Sequence, residues 1–282
     1  MRVRIVVDST ADVADHLRER FVTLPLTIYF GDQEFIDGVE LSRRGLYERL
    51  VESDVMPTTS QATPFAFGEC FRKIVEAGES AVVLPLSSKL SGTCQSAMIA
   101  AQAYPGRIFV VDSRTAAIGS GILAERALQL SDSGLEAGEI ARLLEAERDE
   151  VCLVALLDTL EYLRRGGRIS RTAAVAGEIL SIKPVICLRD GAVELLGKAR
   201  GSRRGNNLLV QEIEKAGGVN YEKPVLLGYT GLSDALLQKY VQDSADLWKG
   251  NAEALRVTMV GGVVGTHAGP GAIAVAFFRR RR

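Results

Sequence analysis

The feature that most constrains this chain is a pattern that occurs three times in its first half. RIVVD (4–8), SAVVLPL (80–86) and RIFVVD (107–112) are short β-branched runs, and each passes through a polar loop into a helix-compatible stretch. The predicted helices cover 9–20, capped by Ser9 or Thr10, then about 93–103, then a stretch ending near Gln129. Strand, loop and helix in repetition require a parallel sheet with helical crossovers, an α/β fold. Ligands of such sheets gather at the carboxyl ends of the strands. That rule places Asp8 to Thr10, Ser87 to Thr93 and Asp112 to Thr115 along one edge, where a pocket is expected.

The second half reads differently. CLVALLD (152–158) is apolar, LEYLRRGGRIS (160–170) is a short helix broken by a Gly pair, and PVICLRDGAVELL (184–196) is a hairpin turning at Asp190-Gly191. Further strands are expected at 224–230, 255–260 and 272–278, with helices at 202–216 and 233–248. A mixed sheet with helices follows. At 282 residues the chain is long enough for two domains, drawn here as 1–150 and 151–282.

Composition excludes several classes. The 34 basic and 35 acidic residues leave a net charge of −1, which gives no general field for nucleic acid. No apolar run approaches the ~20 residues of a membrane span, and MRVRIVVDST runs directly into a strand with no secretory leader. The four cysteines have no CxxC pairing and no histidines at zinc-ligand spacing, so free thiols in a reducing cytoplasm are expected, with no metal.

Four segments have residues suited to chemistry. TTSQATP (58–64) is a hydroxyl-rich loop in which Pro64 starts a helix; it either caps that helix or donates to a ligand oxygen. SSKLSGTCQSA (87–97) sets Gly92 at a helix start, as an ordinary cap or as a simple anion cradle; it is no Walker motif. GGVVGTHAGPGA (261–272) is a glycine-rich loop carrying His267, one of only two histidines, with backbone that admits close approach. The other, His16, falls in the amphipathic 9–20 segment and reads as structural. YLRRGGRISR (162–171) is either a solvated basic loop or a site for acidic oxygens, and RRRR (279–282) reads as a solvated tail.

Taken together these segments resemble the DegV family, the fatty-acid-binding subunits of bacterial fatty acid kinase. VDSTADV (7–13), TSQATP (59–64), LPLSSKLSGTCQSA (84–97), VVDSRTAAIGSG (110–121), YLRRGGRIS (162–170), IKPV (182–185), DGAVELLGKARG (190–201) and HAGPGAIAVAF (267–277) match in order and nearly end to end. One departure is Ala62-Thr63, where the family has Pro-Ser. The resemblance implies a DegV-like fold: an N-terminal parallel-sheet α/β domain with the carboxyl-binding loops, and a second α/β domain with a mixed sheet that completes the pocket. It also implies a carrier, not an enzyme, with a long-chain fatty acid as ligand and no cofactor. The carboxyl is presented to a separate ATP-dependent kinase, and the acyl phosphate feeds phospholipid synthesis. By the same resemblance Thr59, Ser91 and His267 bind the carboxyl, and Arg168 serves the encounter with the kinase.

Two other classes stand beside that reading. A hydrolase would use Ser91 or Cys94 as nucleophile, His267 as base and Asp112 to orient it, although no GxSxG elbow is present. A regulatory nucleic-acid binder would rest on the basic loop, which lacks interleaved aromatic residues.

Overall fold

The computed structural model describes residues 1–170 and 182–280. Strands β1 (Val3–Asp8), β2 (Val22–Leu24), β6 (Ser80–Leu84) and β7 (Ile108–Val110) form an all-parallel sheet in the order β2-β1-β6-β7. Its central strands, β1 and β6, are covered on both faces, and β6 is buried along its whole length, as continuous β-branched sequence requires. Helix α2 (Pro64–Glu76) precedes β6 and α3 (Thr93–Ala101) follows it; α4 (Ala117–Asp132) and α5 (Ala137–Glu147) follow β7. Pro64 occupies the first turn of α2, and the Thr63 hydroxyl accepts the Ala66 N–H at 3.2 Å, a cap readable from the sequence.

A second, antiparallel sheet of three short strands, β3 (Thr27–Phe30), β4 (Gln33–Ile36) and β5 (Thr58–Ser60), lies in the same half, together with α1 (Arg43–Glu52). The third sheet is mixed: β8 (Val151–Leu156), β9 (Ile182–Arg189), β10 (Ala192–Arg200), β11 (Leu226–Tyr229), β12 (Arg256–Met259) and β13 (Ile273–Phe278). Its order is β10-β9-β8-β13-β11-β12, so the last strand is inserted into the middle. Asp190 and Gly191 both hold positive φ, 49° and 82°, and close the β9–β10 hairpin where the sequence places it. Helices α6 (Glu161–Arg165), α7 (Ser202–Lys215), α8 (Ala235–Asp243), α9 (Ala245–Trp248) and α10 (Gly262–Ala268) complete the fold.

The structure corrects four expectations. The helix expected over 9–20 is only a 3₁₀ turn, Asp15–Arg20, because the buried Asp8 carboxylate takes the Thr10 N–H and hydroxyl and the Ser9 hydroxyl accepts from Leu26 N–H. His16 is exposed there rather than on an amphipathic face. The glycine-rich segment around His267 is not a loop; it contains α10. The terminal arginines are not simply a solvated tail, since Arg280 Nε donates to the Val219 carbonyl and Arg279 N–H to that of Glu150. Arg171, Arg281 and Arg282 lie outside the described residues. Among the described residues no helix is long and apolar enough to cross a membrane, and no cluster of side chains fits a metal ion.

Candidate functional site

An apolar cavity lies where the carboxyl ends of the parallel strands face the mixed sheet. Thr10, Leu86, Leu90 and Ala116 line it from the strand-end loops, as the switch-point rule predicts. The opposite wall is the mixed sheet. There Ala155 of β8 pairs with Ala274 of β13, which pairs in turn with Gly228 of β11. Three neighbouring strands therefore present their smallest residues in one row, flanked by the larger Leu153 and Leu157.

Thr59, Ser91, Arg168 and His267 all line this cavity, although they come from four separate segments. Thr59 sits on β5, paired with Ile28 of β3, and its hydroxyl lies 2.9 Å from His267 Nε2. His267 is in the last turn of α10. Burial, and next the Arg168 charge, push its pKa down to about 4, so the imidazole is neutral at pH 7. The neutral ring presents one donor and one acceptor, and its Nδ1 has no partner among the described residues.

Ser91 stands in the turn before α3, its Oγ accepting the Thr93 N–H at 3.2 Å and lying 2.9 Å from Thr93 Oγ1. Arg168 ties this turn to the Gly pair: Nε donates to the Leu90 carbonyl and Nη1 to that of Gly166. Its neighbours Arg164 and Arg165 instead pair with Glu161 on the surface. The basic loop thus divides, with one arginine lining the cavity and two on a solvated face.

The glycines here admit the chain's own side chains. A Cβ on Gly166 would stand 2.2 Å from His267 Nδ1, and one on Gly269 2.2 Å from Tyr162 Cδ2. Backbone on both sides therefore lies flat against the rings. Gly92 is matched to Gln61 in the same way, 2.0 Å from Oε1, while Gln61 Nε2 donates to Ser96 at 3.1 Å.

The residues do not form a hydrolytic triad. Asp112 accepts from Ser88 and Arg114 rather than orienting His267, and His267 bonds Thr59 rather than Ser91. Cys94 is buried, its thiol pushed up to about 12 by desolvation, so it carries no thiolate at neutral pH.

A family model described as "Uncharacterised protein, DegV family" matches residues 2–280. The chain belongs to the DegV family. A DegV domain-containing protein of Deinococcus radiodurans is 35% identical over 98% of each chain. Among solved structures, a fatty-acid-binding DegV family protein of Thermus thermophilus is 32% identical with a TM-score of 0.87, covering 99% of this chain and all of its own. A DegV lipid-binding protein of Thermotoga maritima, 25% identical, reaches the same TM-score over 99% of this chain and all of its own. A stearic-acid-binding protein of Eubacterium ventriosum is 25% identical with a TM-score of 0.84 over 98% of both chains.

This DegV chain also uses residues to which sequence reading assigned no role. Gln61 lines the cavity and joins the Thr59 strand to α3. Asp12 and Tyr47, both fully buried, bond the residues that lead into α10. Asp12 lies in the VDSTADV match but reads there only as part of the helix expected over 9–20. Gln61 lies in the TSQATP match without a role of its own there, and no periodicity or motif distinguishes Tyr47.

Proposed function

We propose that this protein carries a long-chain fatty acid and presents its carboxyl to a separate fatty acid kinase, which phosphorylates it with ATP. The acyl phosphate then feeds phospholipid synthesis. The observation that carries the reading is an apolar cavity whose polar lining groups include Thr59, Ser91, His267 and Arg168. Fatty-acid or lipid binding by the Thermus, Thermotoga and Eubacterium proteins supports it.

The physics is consistent with that division. A chain of about 14 methylenes at ~0.8 kcal/mol each yields ~11 kcal/mol gross. At least ~4 kcal/mol is lost to association and ordering. The tail supplies the affinity, while an unpaired buried carboxylate would be very costly. In this reading two hydroxyls and a neutral imidazole satisfy the head group without a clamping salt bridge, and the oxygen remains available for phosphorylation. Residues 1–150 supply the carboxyl loops and 151–282 complete the pocket. Arg168 serves the encounter with the kinase.

Mass spectrometry of the purified protein, native and then after solvent extraction, tests the carrier reading. A stoichiometric fatty acid supports it. A protein that is empty and also fails to take up added palmitate or oleate overturns it. For the kinase step, Arg168→Ala should impair acyl-phosphate formation more than fatty-acid binding; equal losses would make Arg168 a pocket residue only.

A further inference from the structure

The segment GGVVG (261–265) leads to His267, and each of its three glycines faces a different polar side chain. A Cβ on Gly261 would stand 3.1 Å from Asp12 Oδ1, one on Gly262 2.6 Å from Asp37 Oδ1, and one on Gly265 2.5 Å from the Tyr47 hydroxyl. Glycine at these places lets α10 settle directly onto a polar floor.

That floor is bonded as well as close. Asp12 Oδ1 accepts the Gly261 N–H at 2.7 Å, and the Tyr47 hydroxyl donates to the Val260 carbonyl at 3.0 Å. Asp37 accepts from the backbone of Gly262 and Val263. Arg43, on α1 beside Tyr47, pairs with Asp12 at 3.0 Å and donates to Thr258 Oγ1 and the Met259 carbonyl. Asp12 and Tyr47 are fully buried and Asp37 nearly so, while Asp12 Oδ2 has no partner among the described residues. Arg18 and Asp37 add their charges to the field at Asp12.

Apolar side chains would cover the same surface at lower desolvation cost. What they lack is direction: a packed methyl tolerates sliding, whereas a hydrogen bond fails within a fraction of an ångström. Gly261 and His267 are six residues apart, ~9 Å along a helix axis. A rigid helix this short transmits any shift at its first turn to the imidazole.

We propose that Asp12, Arg43 and Tyr47 are positioning residues for His267: they fix the entry to α10 from beneath and so set where the imidazole stands in the cavity. The fatty-acid part of the test below rests on the carrier reading; the histidine part does not.

The chain has only two histidines, and His16 is exposed. NMR of ¹³C,¹⁵N-histidine-labelled protein therefore shows two imidazole rings, one of them His267. In Asp12→Asn and Tyr47→Phe, the His267 midpoint should move up from about 4 toward the ordinary value, with palmitate affinity reduced about tenfold. Amide dispersion and the His16 ring should stay as in the wild type. If Asp12→Asn does not fold, Tyr47→Phe, which removes one oxygen, decides alone. A folded Tyr47→Phe protein with an unmoved His267 midpoint and wild-type palmitate affinity would overturn the proposal. A moved midpoint in a chain that binds no fatty acid would support it while removing the carrier reading.

Discussion

Thr59 and His267 are 208 residues apart in sequence, yet the threonine hydroxyl lies 2.9 Å from the imidazole Nε2. The contact joins a strand of the small antiparallel sheet to the last turn of α10. Removing the hydroxyl while keeping the shape, as in Thr59→Val, leaves Nε2 without this partner. Palmitate binding measured by calorimetry should weaken about tenfold with little change in thermal stability. Wild-type affinity would remove Thr59 from the head-group site.

Gly166 and Gly68 provide a paired test of close packing. The first faces His267 Nδ1 at a hypothetical Cβ distance of 2.2 Å, while the second, on α2, has nothing within 4 Å. Gly166→Ala should cost ~1–3 kcal/mol and displace the imidazole, lowering palmitate affinity as well. Gly68→Ala should be neutral or stabilise by up to ~1 kcal/mol. Thermal melts of the two variants, with palmitate titrations, check both.

The row Ala155–Ala274–Gly228 forms part of the cavity's sheet wall, so size there should control which chains fit. Ala274→Leu fills space that a long tail would need. It should leave laurate binding near wild type and weaken stearate binding by at least tenfold, since each methylene excluded forfeits ~0.8 kcal/mol. Equal loss across chain lengths would mean that the tail does not pass this row.

Acid should expose two opposing contributions. His267 has its pKa lowered to about 4 from 6.5, so the unfolded chain binds more protons in that window and stability rises with pH through it. Asp12 has its pKa raised from 3.8 to about 6 by burial, so the folded chain binds more protons and stability falls as pH rises through that range. Each contribution amounts to at most ~3 kcal/mol. Urea unfolding across the two windows should show His267→Gln gaining stability relative to wild type on acidification, and Asp12→Asn losing it. Parallel pH curves would contradict both assignments.

Sequence was most informative where local chemistry governs structure. The strand–helix succession at β6 and β7, the Asp190-Gly191 hairpin and the Thr63-Pro64 helix start are decided within a few residues, and all three occur. Thr59, Ser91, Arg168 and His267 do line a single cavity. The errors have long-range causes. The 9–20 segment loses its helix because Asp8, held by burial and by the Leu86 N–H, captures Thr10 first. A seven-residue helix with three glycines at or near its start has weak intrinsic propensity, and α10 forms because Asp12, Asp37 and Tyr47 meet it from elsewhere in the chain. The strands of the small antiparallel sheet are three or four residues long, too short for alternation to register.

The position of β13 has a consequence for how the molecule is made. It is the last strand in sequence, yet it sits between β8 and β11. During synthesis the emerging chain holds two separate pieces of that sheet, each with an unpaired edge where β13 will bond. Only when residues 273–278 leave the ribosome can the two be joined. From the emergence of β8 until then, the facing edges of β8 and later of β11 stay unpaired, the kind of surface that chaperones at the ribosome shield.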